Sequence, residues 1–117
     1  MASKRILLIE SDEEFSESLV SLFSQYDVEI RIIGDGKEGL QTAKEDPPDM
    51  ILLCVELPKM SGYSICNKLK KDKRLKKVPL IIMSTEATEE TFEQHKKLKT
   101  RAEDYIIKPF PDDDLLN

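Results

Sequence analysis

The chain has 117 residues, of which 39% are hydrophobic and 35% are charged, and its net charge is −5. That length and hydrophobic content predict one domain with a core of its own. The acidic balance argues against direct binding of nucleic acid, which requires a basic surface. No apolar run approaches the roughly 18 residues of a membrane span. The first apolar run, which follows Arg5, ends at Ile9 and is too short for a signal peptide.

The two cysteines, Cys54 and Cys66, lie in apolar or helical contexts and lack the short spacings of a disulfide framework. Unpaired thiols are typical of proteins in a reducing compartment. Together with the missing signal peptide, this predicts a cytoplasmic, bacterial-type domain whose thiols are reduced.

Two hydrophobic periodicities alternate along the chain. Strands are predicted at residues 5–9, 28–32, 49–56, 78–83 and 105–107, and helices at residues 11–25, around 40–43, at 61–71, at 88–99 and from 111 onward. Ser11 and Glu14 have capping-box spacing at the start of the first helix. Phe92, His95 and Leu98 fall roughly on one side of the fourth helix. The alternation predicts an α/β domain with a parallel sheet of about five strands and helices on both faces.

We expect this single domain to span residues 1–117, with its last helix cut short at Asn117. Leu115 and Leu116 would face the core from that helix, and Pro111 would be its first residue.

The third predicted strand is an unbroken apolar run from Met50 to Val55 between proline-containing turns. Such a run is typical of a strand that is buried on both faces of a parallel sheet. In open α/β sheets the functional crevice lies beyond the carboxyl ends of the strands. Cys54 and Glu56 lie at that end, so the chemistry of the site should be decided there.

Polar side chains follow four of the predicted strands. They are Glu10-Ser11-Asp12, Cys54 with Glu56, Ser84-Thr85, and Lys108-Pro109. Because the carboxyl ends of parallel strands meet at one edge of a sheet, we expect these groups to converge. Acids, a hydroxyl and a lysine are the components of a magnesium and phosphate site, in which carboxylates hold the cation and lysine neutralises phosphoryl oxygens.

Six segments together carry a more specific signal. They are residues 6–13 (Ile-Leu-Leu-Ile-Glu-Ser-Asp-Glu), Asp35-Gly36, Pro48-Asp49, residues 57–62 (Leu-Pro-Lys-Met-Ser-Gly), residues 78–84 (Val-Pro-Leu-Ile-Ile-Met-Ser) and residues 102–110 (Ala-Glu-Asp-Tyr-Ile-Ile-Lys-Pro-Phe). Over essentially the whole chain they resemble the receiver domain of bacterial two-component response regulators, the CheY-like superfamily. The resemblance implies a flavodoxin-like, doubly wound sheet of strand order 2-1-3-4-5 and a role in phosphorelay signal transduction.

Carried over residue by residue, the resemblance shows two departures from the family pattern. Receivers usually have two neighbouring acids after the first strand that hold magnesium. The matching positions here are Glu10 and Ser11, with Asp12 one position further on. The phosphoacceptor Asp at the end of the third strand is matched by Cys54. The resemblance assigns the switch hydroxyl to Ser84, the switch aromatic to Tyr105 and the family's lysine to Lys108.

The residue at position 54 changes the expected chemistry. In the family a carboxylate attacks a phosphodonor with the assistance of magnesium, whereas a thiol forms no aspartyl phosphate and is a poor ligand for that cation. We therefore predict a pseudo-receiver that is not an enzyme, needs no cofactor and signals through protein contacts. Magnesium would bind weakly or not at all at the remnant acids Glu10 and Asp12. Two alternatives stay open: a receiver phosphorylated on another acid such as Asp12 or Glu56, and a redox-sensing thiol at Cys54, for which a buried inert thiol is the plainer interpretation.

Three further side chains carry specific expectations. Glu56 lies on the same side of an extended chain as Cys54, and its carboxylate could reach towards Lys108 and stand in for the missing acceptor charge, or could simply point into water. His95, the only histidine, is expected to be a helix-surface or half-buried packing residue rather than a catalytic base. Tyr105 is either a switch or a fixed aromatic at a binding face.

The resemblance also implies a protein-binding surface formed by Thr88 to Lys99 together with Ala102 to Tyr105, while the oligomeric state is left open. Residues 62–72 and 94–99 resemble the pseudo-receivers of FrzS-type gliding-motility proteins. That likeness implies a role in polar localisation or motility through protein contacts.

Overall fold

The computed structural model describes residues 4–84 and 89–107. In chain order the elements are β1 (Lys4–Ile9), α1 (Glu13–Phe23), β2 (Val28–Ile33), α2 (Gly36–Glu45), β3 (Met50–Cys54), α3 (Gly62–Lys71), β4 (Leu80–Ser84), α4 (Glu89–Lys96) and β5 (Asp104–Ile107). The five strands form one parallel sheet in the order β2-β1-β3-β4-β5. This is the predicted flavodoxin-like arrangement. The predicted last helix lies outside the described residues.

The strand β3 is the centre of the sheet, as its unbroken apolar sequence predicts. Its last four residues are buried, and Leu52 and Leu53 have no exposed surface. A strand with helices on both sides cannot alternate polar and apolar residues, because both faces meet apolar neighbours. Cys54, the last residue of this strand, is therefore held in place by packing on both faces of the sheet.

Two apolar clusters fill the two sides of the sheet. The larger joins Ile9 and Leu53 to side chains of α2 and α3, including Ala43 and Ile65. The smaller joins Leu8, Leu52 and Met83 to Leu19 of α1. Packing on both sides fixes the strand register, since a one-residue slip would turn every core side chain to the opposite face.

The first helix is shorter than the predicted 11–25, since it runs from Glu13 to Phe23. Asp12, not Ser11, is the N-cap, and its carboxylate accepts a hydrogen bond from the Phe15 backbone N–H at 3.1 Å. The predicted capping box of Ser11 and Glu14 is therefore wrong, because an Asp at the next position satisfies the free N–H groups of the first turn. Glu13 and Glu14 then occupy that first turn, where the helix dipole favours acids.

The fourth helix ends at Lys96 rather than at Lys99. In its last turn the backbone N–H groups of Lys97 and Leu98 bond three residues back, to Gln94 and His95, which tightens the chain and turns it out of the helix. Leu98, predicted to share one helix side with Phe92 and His95, lies beyond the helix and is 43% exposed. Phe92 and His95, on the same side of the helix, are buried.

The turn between β3 and α3 is tightly constrained. The Gly62 N–H donates to the Val55 carbonyl at 3.0 Å, and a Cβ at position 62 would lie 2.1 Å from the carbonyl oxygen of Cys54. Lys59, the one non-glycine residue with positive φ in the described chain, lies at φ 69° in the same turn. This close return of the chain fixes the course of the intervening residues, among them Glu56.

Candidate functional site

Three of the polar residues predicted at the strand ends, Glu10, Cys54 and Ser84, lie together at one edge of the sheet. Thr85 and Lys108-Pro109 lie outside the described residues. Cys54 is the last residue of β3 and pairs in register with Met83, which directly precedes Ser84. Ile9 pairs with Leu53, so Glu10 comes next to Cys54 across the adjacent strand ends. Glu10, Cys54 and Ser84 are all buried, with 2%, 1% and 0% of their surface exposed.

The Glu56 side chain turns back into this crevice. Its Oε2 accepts a hydrogen bond from the Ser84 hydroxyl at 2.5 Å, and the Cys54 sulfur lies 3.9 Å from its Oε1 and 3.6 Å from its backbone oxygen. A hydroxyl bonded to a carboxylate is one of the stronger hydrogen bonds in proteins. The alternative of a loop side chain pointing into water is therefore wrong, and a carboxylate adjoins both the thiol and the hydroxyl.

The acids after β1 have structural partners. Glu10 Oε2 accepts the Asp12 backbone N–H at 3.2 Å, and the Asp12 carboxylate caps α1 through Phe15. Ser11 is exposed at the mouth of a shallow cleft beside α1. Of the three predicted site residues at positions 10–12, only Glu10 is buried in the crevice.

Lys108 lies outside the described residues. The hypothesis that Glu56 reaches this lysine therefore stays a prediction. The position that precedes it, Ile107, pairs with Ser84 across the sheet, so the chain leaves β5 directly beside the crevice.

A second polar cluster lies between α3, α4 and β5. His95 Nδ1 is 2.5 Å from the Tyr105 hydroxyl, and His95 Nε2 is 2.8 Å from the Asn67 side-chain oxygen. The Asn67 oxygen can only accept, so Nε2 carries the proton and Nδ1 accepts from Tyr105. The Tyr105 oxygen in turn accepts the Ala102 backbone N–H at 2.9 Å.

His95 is more buried than predicted. Only 6% of it is exposed, and the Tyr63 and Tyr105 rings lie 4.9 Å and 5.7 Å from it. Burial lowers the pKa of His95 below its ordinary value and raises the pKa of Tyr105 to about 12. Both groups are therefore neutral near pH 7. This agrees with the hydrogen bonds, in which a neutral Tyr105 hydroxyl donates to Nδ1 of a neutral His95.

Sequence reasoning missed the partners of this cluster. Asn67 also accepts a hydrogen bond from the Thr100 hydroxyl at 2.7 Å, and the Cys66 sulfur lies 3.3 Å from the Thr100 carbonyl oxygen. Burial raises the pKa of the Cys66 thiol to about 12, which keeps it protonated. No spacing rule links positions 67, 95 and 105, because the contacts arise only once α3 and α4 pack beside β5.

Comparison with known proteins identifies the family. Residues 6–117 match the model of the response regulator receiver domain. The chain is 32% identical over 113 residues to the DNA-binding response regulator MtrA of Mycobacterium tuberculosis, covering 97% of this chain and 47% of that protein. The chain belongs to the response regulator receiver family.

Other relatives agree. This receiver is 34% identical to the alkaline phosphatase synthesis transcriptional regulatory protein PhoP of Bacillus subtilis, over 92% of this chain and 43% of that protein. It matches a CheY-like receiver domain protein from Methanospirillum hungatei with a TM-score of 0.85 and 26% identity, over 97% of this chain and 88% of that one. The fold also matches the phosphorylated cyanobacterial phytochrome response regulator RcpA, with a TM-score of 0.85 and 24% identity over 97% and 86% of the two chains.

The receiver spans about half the length of the curated relatives that it matches. None of the helices in residues 4–84 and 89–107 has the length and the apolar composition of a membrane-spanning segment.

Proposed function

We propose that this receiver of two-component signalling works without phosphorylation of its own and acts through protein contacts. The single observation that carries the proposal is the Glu56 carboxylate, which accepts the hydrogen bond of the switch hydroxyl Ser84 beside the Cys54 thiol. In a phosphorylated receiver an incoming anionic group would engage that hydroxyl. Here a carboxylate of the chain itself already does so.

The residue at the acceptor position supports the same proposal. Cys54 is the last residue of β3 and only 1% exposed, and a thiol cannot form the aspartyl phosphate on which the family's reaction depends. The other acids nearby are engaged: Asp12 caps α1 and Glu56 binds Ser84. This disfavours the alternative of phosphorylation on either acid.

The donor set is also poorly matched to magnesium. That cation prefers oxygen ligands in a near-octahedral arrangement, whereas the crevice offers a thiol at position 54 and two carboxylates, Glu10 and Glu56, that already accept hydrogen bonds from the chain. Within the described part of the chain, no three His, Cys, Asp or Glu side chains are grouped so that they could hold a metal ion. We propose that the domain binds magnesium weakly at most, has no cofactor and is not an enzyme.

Its partner would bind the face formed by α4 and β5. Tyr105 is held inward there by His95 and lies 5.3 Å from the Phe92 ring, while Lys96 Nζ lies 5.5 Å from the centre of the Tyr105 ring. Lys96 also pairs with Glu93 at 3.0 Å, so this face presents an aromatic ring beside exposed groups of both charges. The DNA-binding named for MtrA belongs to that protein, and a role like that of FrzS-type motility proteins is the more specific proposal for this chain.

Incubation with acetyl phosphate and Mg²⁺, followed by intact-mass measurement, tests the proposal. The expected result is no added phosphoryl mass on the wild-type chain. The matched control is the double variant Cys54→Asp/Ser11→Asp, which restores both missing acids and should gain the adduct under the same conditions. A stoichiometric adduct on the wild-type chain would defeat the proposal.

A redox role for Cys54 has its own test. Alkylation of the native protein at about pH 7 should leave Cys54 unmodified until unfolding, because its side chain is packed in the sheet and the sulfur faces Glu56. Rapid labelling of Cys54 in the native state would favour the thiol sensor instead.

A further inference from the structure

We propose that the free edge of the sheet at β2 is a pairing site for a second copy of this chain. Two β2 strands would lie antiparallel across a twofold axis at Ile30 and join the two sheets into one. This inference is independent of the phosphorylation state of the crevice.

The edge is open and long enough to pair. Among the described strands β2 hydrogen-bonds only to β1, and it runs for six residues, against four in β5 at the opposite edge. Soluble proteins usually protect an exposed edge with charged side chains, especially Lys, with Pro or with a bulge. The two charges of β2, Glu29 and Arg31, have opposite signs, so they repel a second copy only in some registers. The sequence of β2, Val-Glu-Ile-Arg-Ile-Ile, contains neither Pro nor Lys, and its pairing with β1 is continuous over all six residues, without a bulge.

The backbone polarity of the edge fixes which residues can pair. The carbonyl groups of Asp27 and Ile33 accept hydrogen bonds from Lys4 and Glu10 and so point towards β1. Because successive residues of a strand direct their N–H and C=O groups to opposite edges, those of Val28, Ile30 and Ile32 point outward. In an antiparallel pair of two β2 strands, these outward-facing residues of one copy must therefore lie opposite outward-facing residues of the other copy.

Three symmetric registers meet that requirement, and charge selects among them. A twofold axis at position 29 places Glu29 opposite Glu29, and an axis at position 31 places Arg31 opposite Arg31. An axis at Ile30 places Glu29 of each copy opposite Arg31 of the other, twice. Like charges directly opposite are unfavourable and unlike charges favourable, so only the register centred on Ile30 is self-complementary.

The side chains are available for these contacts. Glu29 and Arg31 are exposed and line one groove with Arg5 and Asp46. Within residues 4–84 and 89–107 the ion pairs are Arg5–Asp46, Lys70–Glu103 and Lys96–Glu93. Glu29 and Arg31 are in none of them and interact only at longer range within their own copy, Glu29 with Arg5 and Arg31 with Asp46. On the opposite face Ile32 is 43% exposed and would meet Val28 of the other copy.

Charge reversal at the two positions tests the pairing by sedimentation velocity over a range of concentrations. The wild-type chain should associate weakly, as expected for a small interface. Glu29→Arg alone and Arg31→Glu alone should each associate about tenfold or more weakly, since every cross-strand pair becomes like-charged. An equimolar mixture of the two single variants should associate again, because each Arg then meets a Glu; it also shows that both variants are folded.

Oxidative cross-linking tests the register. Ile30→Cys should form a disulfide dimer, since directly opposed residues have Cα atoms about 5.5 Å apart. Ile32→Cys is the matched control, because two such residues would lie on the order of 13 Å apart. The native Cys54 and Cys66, with 1% and 0% exposed surface, would not compete.

A wild-type chain that stays monomeric at all concentrations would overturn the inference. So would single variants that associate like the wild type, a mixture that fails to associate, or equal rates of cross-linking at positions 30 and 32.

Discussion

At the scale of single residues, the main feature of the site is the position of the Glu56 carboxylate beside Cys54 and Ser84. Glu56 follows the buried end of β3 by two residues. The chain turns there, with the Leu57 N–H donating to the Val55 carbonyl at 3.0 Å, and the Glu56 side chain lies over Cys54 and reaches Ser84. The alternation of side chains in a strand predicts that Glu56 points to the same side as Cys54. The Ser84 hydroxyl that donates to its carboxylate, however, is 28 residues away in sequence. Strand register, not local sequence, brings the two together.

Replacing Glu56 by Gln should weaken this contact. The amide is nearly isosteric but lacks the charge, so the hydrogen bond from Ser84 loses its ionic component and the free energy of unfolding should fall by about 1 kcal/mol. Urea unfolding measures the change, with Glu17→Gln on the exposed face of α1 as a control that should leave stability nearly unchanged. Equal stability of the two variants would mean that the Glu56–Ser84 bond contributes little.

His95 should make stability depend on pH. Its pKa is lowered in the folded state by burial, so below about pH 6.5 the unfolded chain binds more protons than the folded one, and stability falls as pH falls. The groups facing it, Tyr63 and Tyr105, have raised pKa values and stay neutral over this range. Unfolding measured from about pH 7.5 to about pH 5.5 should show a loss in the wild type that is smaller in His95→Gln. An identical pH dependence in both proteins would contradict the lowered pKa.

At the scale of the elements, caps and turns determine where α1 and α3 begin. Both a Ser and an Asp precede α1, and the sequence alone does not decide between two adjacent capping residues. The structure selects Asp12, and this choice removes its carboxylate from the crevice.

Alanine substitutions should distinguish the two candidate caps. Asp12→Ala should lower the free energy of unfolding by about 1 kcal/mol, because the Phe15 N–H loses its acceptor. Ser11→Ala, its neighbour and control, should be close to neutral. Thermal or urea unfolding of the two variants measures this, and a larger loss at Ser11 would restore the capping box that the sequence predicts.

The turn into α3 should tolerate no side chain at position 62. A Cβ there would lie 2.1 Å from the backbone oxygen of Cys54, whereas at Gly34 the nearest atom would be 3.7 Å away. We expect Gly62→Ala to cost about 3 kcal/mol or more through displaced backbone, and Gly34→Ala to change stability little. Comparable stability of both variants would mean that the β3–α3 turn can move aside at low cost.

At the scale of the whole molecule, the hydrophobic pattern predicted all five strands and the parallel sheet, and the family resemblance supplied their order. These features follow from short-range periodicity, which the core preserves. The end of α4, the burial of His95 and its bonds to Asn67 and Tyr105 could not be predicted. They depend on how two helices and a strand pack, and a lone histidine among polar residues gives no sign of its partners.

The same limit applies to the candidate site. Sequence reasoning named Glu10, Cys54, Glu56 and Ser84, and the structure brings them to one crevice. It could not establish that Asp12 is used as a cap or that Glu56 turns inward, because each outcome depends on a single backbone position being fixed by contacts elsewhere.

We propose that an internal carboxylate, that of Glu56, engages the Ser84 hydroxyl in place of a bound phosphoryl group and its cation. The most direct measurement is the ¹H–¹⁵N NMR spectrum of the chain during titration with Mg²⁺ and beryllofluoride, observed at the amides around Cys54 and Ser84. We expect no saturable shift of these amides. A saturable shift centred on the crevice at stoichiometric beryllofluoride would contradict it.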